Sequence, residues 1–186
     1  MRAPAIDAEA PDCACEKYRM SGQSPCPVGD EESIARFIFS PMHVGKNGAL
    51  KPSIFSHVRA EGCSVQRESI ASVGEILNFV KSFLLGKDDR SWIGVLLASC
   101  KSLRAIKADN EKRAICVYDT GTSGNPAHGE LCQTRHVEEA DDAELRHDLF
   151  TCFGNGTVVD PTQYRDGVVW LQLPTVLQAR PIASRS

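Results

Sequence analysis

Apolar positions in the chain come in short blocks with two different periods. Ile34 to Phe39 is an apolar run interrupted at Arg36 and closed by Pro41, which predicts a strand. Cys63 to Arg67 alternates, with Cys63, Val65 and Arg67 on one side and Ser64 and Gln66 on the other, and predicts a second strand. Val73, Ile76, Leu77, Val80 and Leu84 then fall at helical spacing, so a helix over 73–85 presents one apolar stripe. Ser72 and Glu75 form a capping box at its start, and Gly86 suits the position just past its end. Trp92 to Ala98 reads as a buried strand and Ala114 to Tyr118 as another.

Beyond Tyr118 the pattern changes. Asp119 to Gly124 is a loop of Gly, Ser and Thr, followed by Asn125 as a strong N-cap and Pro126 at a first helical position. This predicts a strand–loop–helix unit. A later helix over about 142–153 places Leu145, Leu149, Cys152 and Phe153 on one stripe, with Asp141, Asp142 and Glu144 in its first turn. Val158–Val159 and Val168–Leu173 read as closing strands. Helices and strands alternate irregularly, so the expected class is α+β: one domain with a mixed or mainly antiparallel sheet packed by two or three helices.

Composition sets the boundaries. Residues 1–32 carry four prolines and the acids Asp7, Glu9, Asp12, Glu16, Asp30, Glu31 and Glu32, with little periodic apolar pattern. They read as a flexible acidic tail, the body as 33–174, and 175–186 as a second flexible tail. The 186 residues are 42% apolar, enough for one core, and the formal net charge is −3. That charge supplies no general attraction to nucleic acid. No apolar run reaches the length of a membrane span, and residues 1–10, with Asp7 and Glu9 and no apolar stretch, are not expected to act as a secretory signal. The expected setting is therefore the cytoplasm. There the eight cysteines read as free thiols, with Cys100, Cys116 and Cys152 in apolar company.

The stretch from Ala114 to His136 holds the candidate chemistry. A helix start after a glycine loop gathers free amides and a favourable dipole, so Gly121, Thr122, Ser123, Gly124 and Asn125 are expected to hold an anion. The Lys-Ser/Thr ending of a P-loop is absent. His128, in the first helical turn, would be neutral and fit to act as a base, with Glu130 beside it. Asn-Pro-Ala-His-Gly-Glu (residues 125–130) resembles the first half of the zinc-dependent nucleobase deaminase motif, whose His binds zinc and whose Glu moves protons. The resemblance covers these six residues, and the Pro-Cys-x-x-Cys half does not follow. His128, Cys132 and His136 stand four residues apart, so one helix face would carry them as a metal set, with zinc the possible ion. Arg36 and Arg67, charged residues on apolar strands, would add charge to an anion site.

Two functions follow. One is an enzyme or binding domain acting on a small phosphate-bearing or other anionic ligand at Gly121–Glu130. There His128, Glu130 and Arg36 are the catalytic candidates, and Arg67 joins the loop in binding. The other is a non-catalytic accessory protein that meets a protein partner. Convergence of His128, Glu130 and an arginine on one pocket separates the two.

Overall fold

A computed structural model describes residues 11–18, 22–24, 26–154 and 158. The closing strands expected around Val158–Val159 and Val168–Leu173 lie outside the described residues, Val158 apart, as do residues 1–10 and 175–186.

Five strands pair antiparallel in the order β3-β1-β2-β5-β4. They are β1 (Ser33–Ser40), β2 (Cys63–Arg67), β3 (Ser91–Ser99), β4 (Ile115–Asp119) and β5 (His128–Gln133). Three α-helices accompany them: α1 (Val73–Leu84), α2 (Cys100–Arg104) and α3 (Asp142–Cys152). The architecture is α+β, as the irregular alternation predicts. No helix among the described residues is long and apolar enough to cross a membrane.

Both sheet faces are covered, which explains why β1 and β3 read as continuous apolar runs. On one face Ile34, Ile38, Val65, Leu96, Val117 and Leu131 meet Phe55 of the 3-10 helix Pro52–Val58, and Leu145 and Leu149 of α3. On the other, Ala35, Phe37, Phe39 and Val95 meet Ile76 and Val80 of α1. Phe79 stacks on Phe37 and Phe83 on Phe39, with ring centroids 5.1 and 4.4 Å apart. The start of α1 is set locally. Ser72 Oγ accepts the Glu75 amide at 3.2 Å, and the Ser72 amide donates to Glu75 Oε2 at 2.8 Å. Gly86 at φ 71° then carries the chain out of the helix.

The structure corrects three expectations. The helix expected from Pro126 is strand β5, which pairs with β2 on one side and β4 on the other. Thr122 and Asn125 exchange amide–carbonyl hydrogen bonds at 3.0 and 3.1 Å around Ser123-Gly124, closing a hairpin. The same Gly-Asn-Pro signal serves a hairpin turn or a helix start, and pairing with two strands overrides the helical leaning of Glu130, Leu131 and Gln133.

The second correction concerns the cysteines. Cys13 and Cys116, expected as free thiols, are joined as a disulfide across 103 residues. Cys15, Cys26, Cys63, Cys100, Cys132 and Cys152 are not disulfide-bonded.

The third concerns the acidic segment before β1, whose described part packs onto the domain. Cys13, Glu16, Ser24 and Val28 are buried. The 3-10 helix Pro11–Lys17 lies against β4, an edge strand, and Glu16 accepts the outward-facing Val117 amide. An edge strand presents unpaired amides and carbonyls, and this cover satisfies one of them.

Candidate functional site

In the hairpin between β4 and β5 the backbone is already engaged. The Gly121 amide donates to Asp119 Oδ1 at 3.3 Å, and the amides of Thr120, Thr122, Asn125 and His128 donate to hairpin carbonyls. A Cβ at Gly121 would stand 2.5 Å from the Pro126 carbonyl oxygen, so glycine is required there by the close approach of the returning strand. Ser123 and Gly124 are exposed at the tip. Without a helix start, these residues present no converging set of amides.

His128 and Glu130 share one face of β5, both half-buried. His128 Nδ1 and Thr120 Oγ1 are hydrogen-bonded at 2.8 Å. Burial lowers the His128 ring below its ordinary value, opposed by the Thr120 contact and by Asp119. A neutral imidazole is thus maintained by desolvation rather than by a helix dipole.

The metal set drawn from helical spacing does not assemble. Four residues along a strand span about 13 Å, so His128 and Cys132 cannot share one ion, and His136 lies beyond the end of β5.

Arg36 and Arg67 lie on the opposite sheet face from His128 and Glu130, as the strand alternation requires. Arg36 donates to the carbonyls of Ser64 at 2.7 Å and Ile54 at 3.0 Å, fastening the Pro52–Val58 turn to the sheet. Arg67 is fully buried. It donates to both Glu32 oxygens at 2.8 and 2.6 Å, to Ser24 Oγ at 3.0 Å and to the Cys26 carbonyl at 2.6 Å. Asp119 stands 3.8 Å from it across Gly129, and Asp119 Oδ2 is buried without a hydrogen bond. Burial alone would raise the Glu32 carboxyl, yet hydrogen bonds from Arg67 and the Gly29 amide hold it below its ordinary value. The guanidinium therefore joins the segment before β1 to the sheet.

One cavity borders the hairpin and another lies away from it. A groove of about 300 Å³ between α1 and the hairpin is lined by Gln66, Glu75, Asn78, Ser82 and Asn125 among others, and no cation lines it. A cleft of about 790 Å³ opens between the Pro11–Lys17 helix and α2. Lys17, Lys101, Arg104 and Arg113 line it, with Glu16 and Asp30 as counter-charges. Arg104 reaches Glu16 at 3.1 Å, Asp30 at 2.5 Å and the Val28 carbonyl at 2.8 Å. Arg113 holds Glu16 and the Ile115 carbonyl. Hydrogen bonding and charge from Arg104 lower the Asp30 carboxyl. The ammonium groups of Lys17 and Lys101 make no hydrogen bond or close ion pair among the described residues.

The cleft is not legible in the sequence because its cations come from three separate places in the chain. The one local signal is Lys101 and Arg104, three residues apart in α2 and so on neighbouring positions of the helix surface. Compared with family models, with curated proteins and with solved structures, the chain matches none.

Proposed function

We propose that the chain is a binding domain for a small phosphate-bearing anion, held in the cleft between the Pro11–Lys17 helix and α2. One observation carries this reading: Lys17, Lys101, Arg104 and Arg113 converge on a cavity of about 790 Å³ whose lining includes two carboxylates, Glu16 and Asp30. The volume is of the size that small-molecule sites use. Arg104 and Arg113 are pre-oriented by their bonds to Glu16, so their remaining edges are held without an ordering cost at binding. Lys17 and Lys101 supply mobile ammonium groups at the rim.

In this reading Arg36, Arg67 and the turn from Gly121 to Asn125 have structural tasks. His128 and Glu130 line neither cavity, so no general base is assigned to the cleft. An accessory role through an apolar surface has less support. The exposed large apolar residues among those described, Tyr18, Met42 and Leu85, come from three separate segments.

Titration calorimetry with pyrophosphate and with AMP tests the proposal. Saturable binding that weakens with salt is expected, and Lys101→Glu should weaken it by roughly tenfold or more. His128→Ala and Asn125→Ala should leave it unchanged. Loss of binding in those two variants, with Lys101→Glu unaffected, would return the site to the hairpin.

A further inference from the structure

Half of the chain's eight cysteines meet at one place, and one of them, Cys13, also lines the cleft. Cys13, Cys116 and Cys132 are buried in one cluster with Tyr118, and Cys15 is half-buried against it. They arrive from three segments: the Pro11–Lys17 helix, β4 and β5. Cys116 and Cys132 are directly opposite each other in the β4–β5 ladder. A single bridge between Cys13 and Cys116 accounts for two of these sulfurs and leaves two more thiols around it.

The cluster also contains a carboxylate. The sulfurs of Cys13 and Cys116 and an oxygen of Glu16 all lie within 4.8 Å of one another. Tetrahedral zinc with thiolates at about 2.3 Å keeps its ligand atoms about 3.8 Å apart. The Glu16 oxygen is within reach of that spacing from both sulfurs, which have to move apart once they are no longer bonded, and the Cys132 sulfur, outside this group, has to close on it from across the ladder. Cys13 has φ 60°, a left-handed conformation uncommon for a side-chain-bearing residue, and its sulfur is directed at Cys116. Gly62 bounds the side near Cys132, since a Cβ there would stand 3.2 Å from the Cys132 sulfur.

Charge fits as well. Three thiolates and one carboxylate around a divalent ion leave an excess of two negative charges. Arg104 and Arg113, both bonded to Glu16, offset them and orient the ligand. Soft thiolates select zinc-like ions over magnesium or calcium.

We infer that Cys13, Cys116, Cys132 and Glu16 form a zinc-type metal site whenever the Cys13–Cys116 bridge is reduced. The bridge is then the metal-free, oxidised form of the same site. A dithiol reductant supplies two electrons and two protons, breaking the S–S bond to give two thiols while it becomes a disulfide itself. Metal binding then displaces three thiol protons to solvent, from Cys13, Cys116 and Cys132.

The test uses the full chain, reduced with a phosphine under argon, freed of reductant, and titrated with cobalt(II) alone or zinc(II) alone. One ion per chain is expected, with thiolate-to-cobalt charge-transfer absorption, and none in the oxidised chain. Cys132→Ser should weaken binding by more than roughly tenfold. Should that variant fold poorly, alkylation mapping of the wild type decides. Zinc should slow the labelling of Cys13, Cys116 and Cys132 by iodoacetamide well beyond what burial does in the reduced metal-free chain, and leave the exposed Cys26 reactive. A reduced chain that takes no ion, an oxidised chain that binds as well, or zinc that leaves these three thiols unprotected would overturn the site. Cys132 does not line the cleft, so pyrophosphate binding by Cys132→Ser scores the anion proposal separately.

Discussion

The carboxylate of Glu16 accepts the backbone amide of Val117, 101 residues further along the chain. Val117 lies in the edge strand β4, and this amide points away from the sheet. One side chain of an acidic, cysteine-bearing segment thus takes the place that another strand would fill. Its second task is to pair with Arg104 and Arg113. Edge cover, arginine orientation and the thiol cluster are consequently one assembly.

Glu16→Ala should destabilise the domain by about 3 kcal/mol, because it leaves a buried amide without its acceptor and takes the carboxylate partner from two half-covered guanidiniums that keep only their other acceptors. Urea denaturation followed by tryptophan fluorescence measures this. A loss below about 0.5 kcal/mol would mean that the Pro11–Lys17 helix adds nothing to the edge.

Arg67 and His128 separate structure from chemistry. Removing the Arg67 side chain leaves Glu32 half-buried and Asp119 fully buried without their cation, so Arg67→Ala should cost about 3–5 kcal/mol. His128→Ala removes a half-buried ring with one hydrogen bond, to Thr120, and should cost about 1 kcal/mol. Parallel denaturation curves check the ranking. A larger loss at His128 than at Arg67 would reverse the roles assigned here.

What the sequence reveals depends on how local the cause is. The limits of α1 are legible because Ser72, Glu75 and Gly86 act within a turn of their own positions. The strands β1, β3 and β4 are legible because burial on both faces leaves a continuous apolar signature, and β2 because its residues alternate. Strand β5 is not, because His128, Glu130 and Gln133 favour no strand on their own and are held by partners more than 60 residues away in β2 as well as by β4. The segment around Glu16 escaped for a related reason. Its charge and prolines have the composition of a solvated tail, and only the distant Arg104, Arg113 and Val117 give that charge a partner. Arg36 and Arg67 stood out correctly as charges on apolar strands, but a guanidinium that binds backbone carbonyls has the same sequence signature as one that awaits a ligand.

Reduction of the Cys13–Cys116 bridge in metal-free protein should lower stability by about 5 kcal/mol, the loop-closure entropy for some hundred residues. Comparing denaturation with and without a phosphine, in the presence of a chelator, measures it. Cys116→Ser should show the same loss and then be insensitive to reductant. Equal stability with and without the bridge would mean that it does not restrain the unfolded chain.

Acid should destabilise the domain through His43. The ring is buried, and its Nδ1 accepts the Phe39 amide at 3.1 Å, so the folded form holds the neutral imidazole. Burial first, then Arg36, Lys51 and His57, push its pKa from the ordinary 6.5 down to about 4. Between those two values the unfolded chain takes up a proton that the folded chain refuses. Stability is therefore complete above pH 6.5, falls as pH drops, and has lost roughly 3 kcal/mol from this residue by pH 4. His128, also lowered by burial, acts in the same direction. His43→Asn keeps an acceptor for the Phe39 amide in place of Nδ1 and cannot be protonated in this range. It should lose some packing on Phe39, yet its stability should vary with pH by less than half as much across that window. Denaturant midpoints measured at several pH values decide the point, and a slope equal to that of the wild type would remove His43 as the acid-sensitive group.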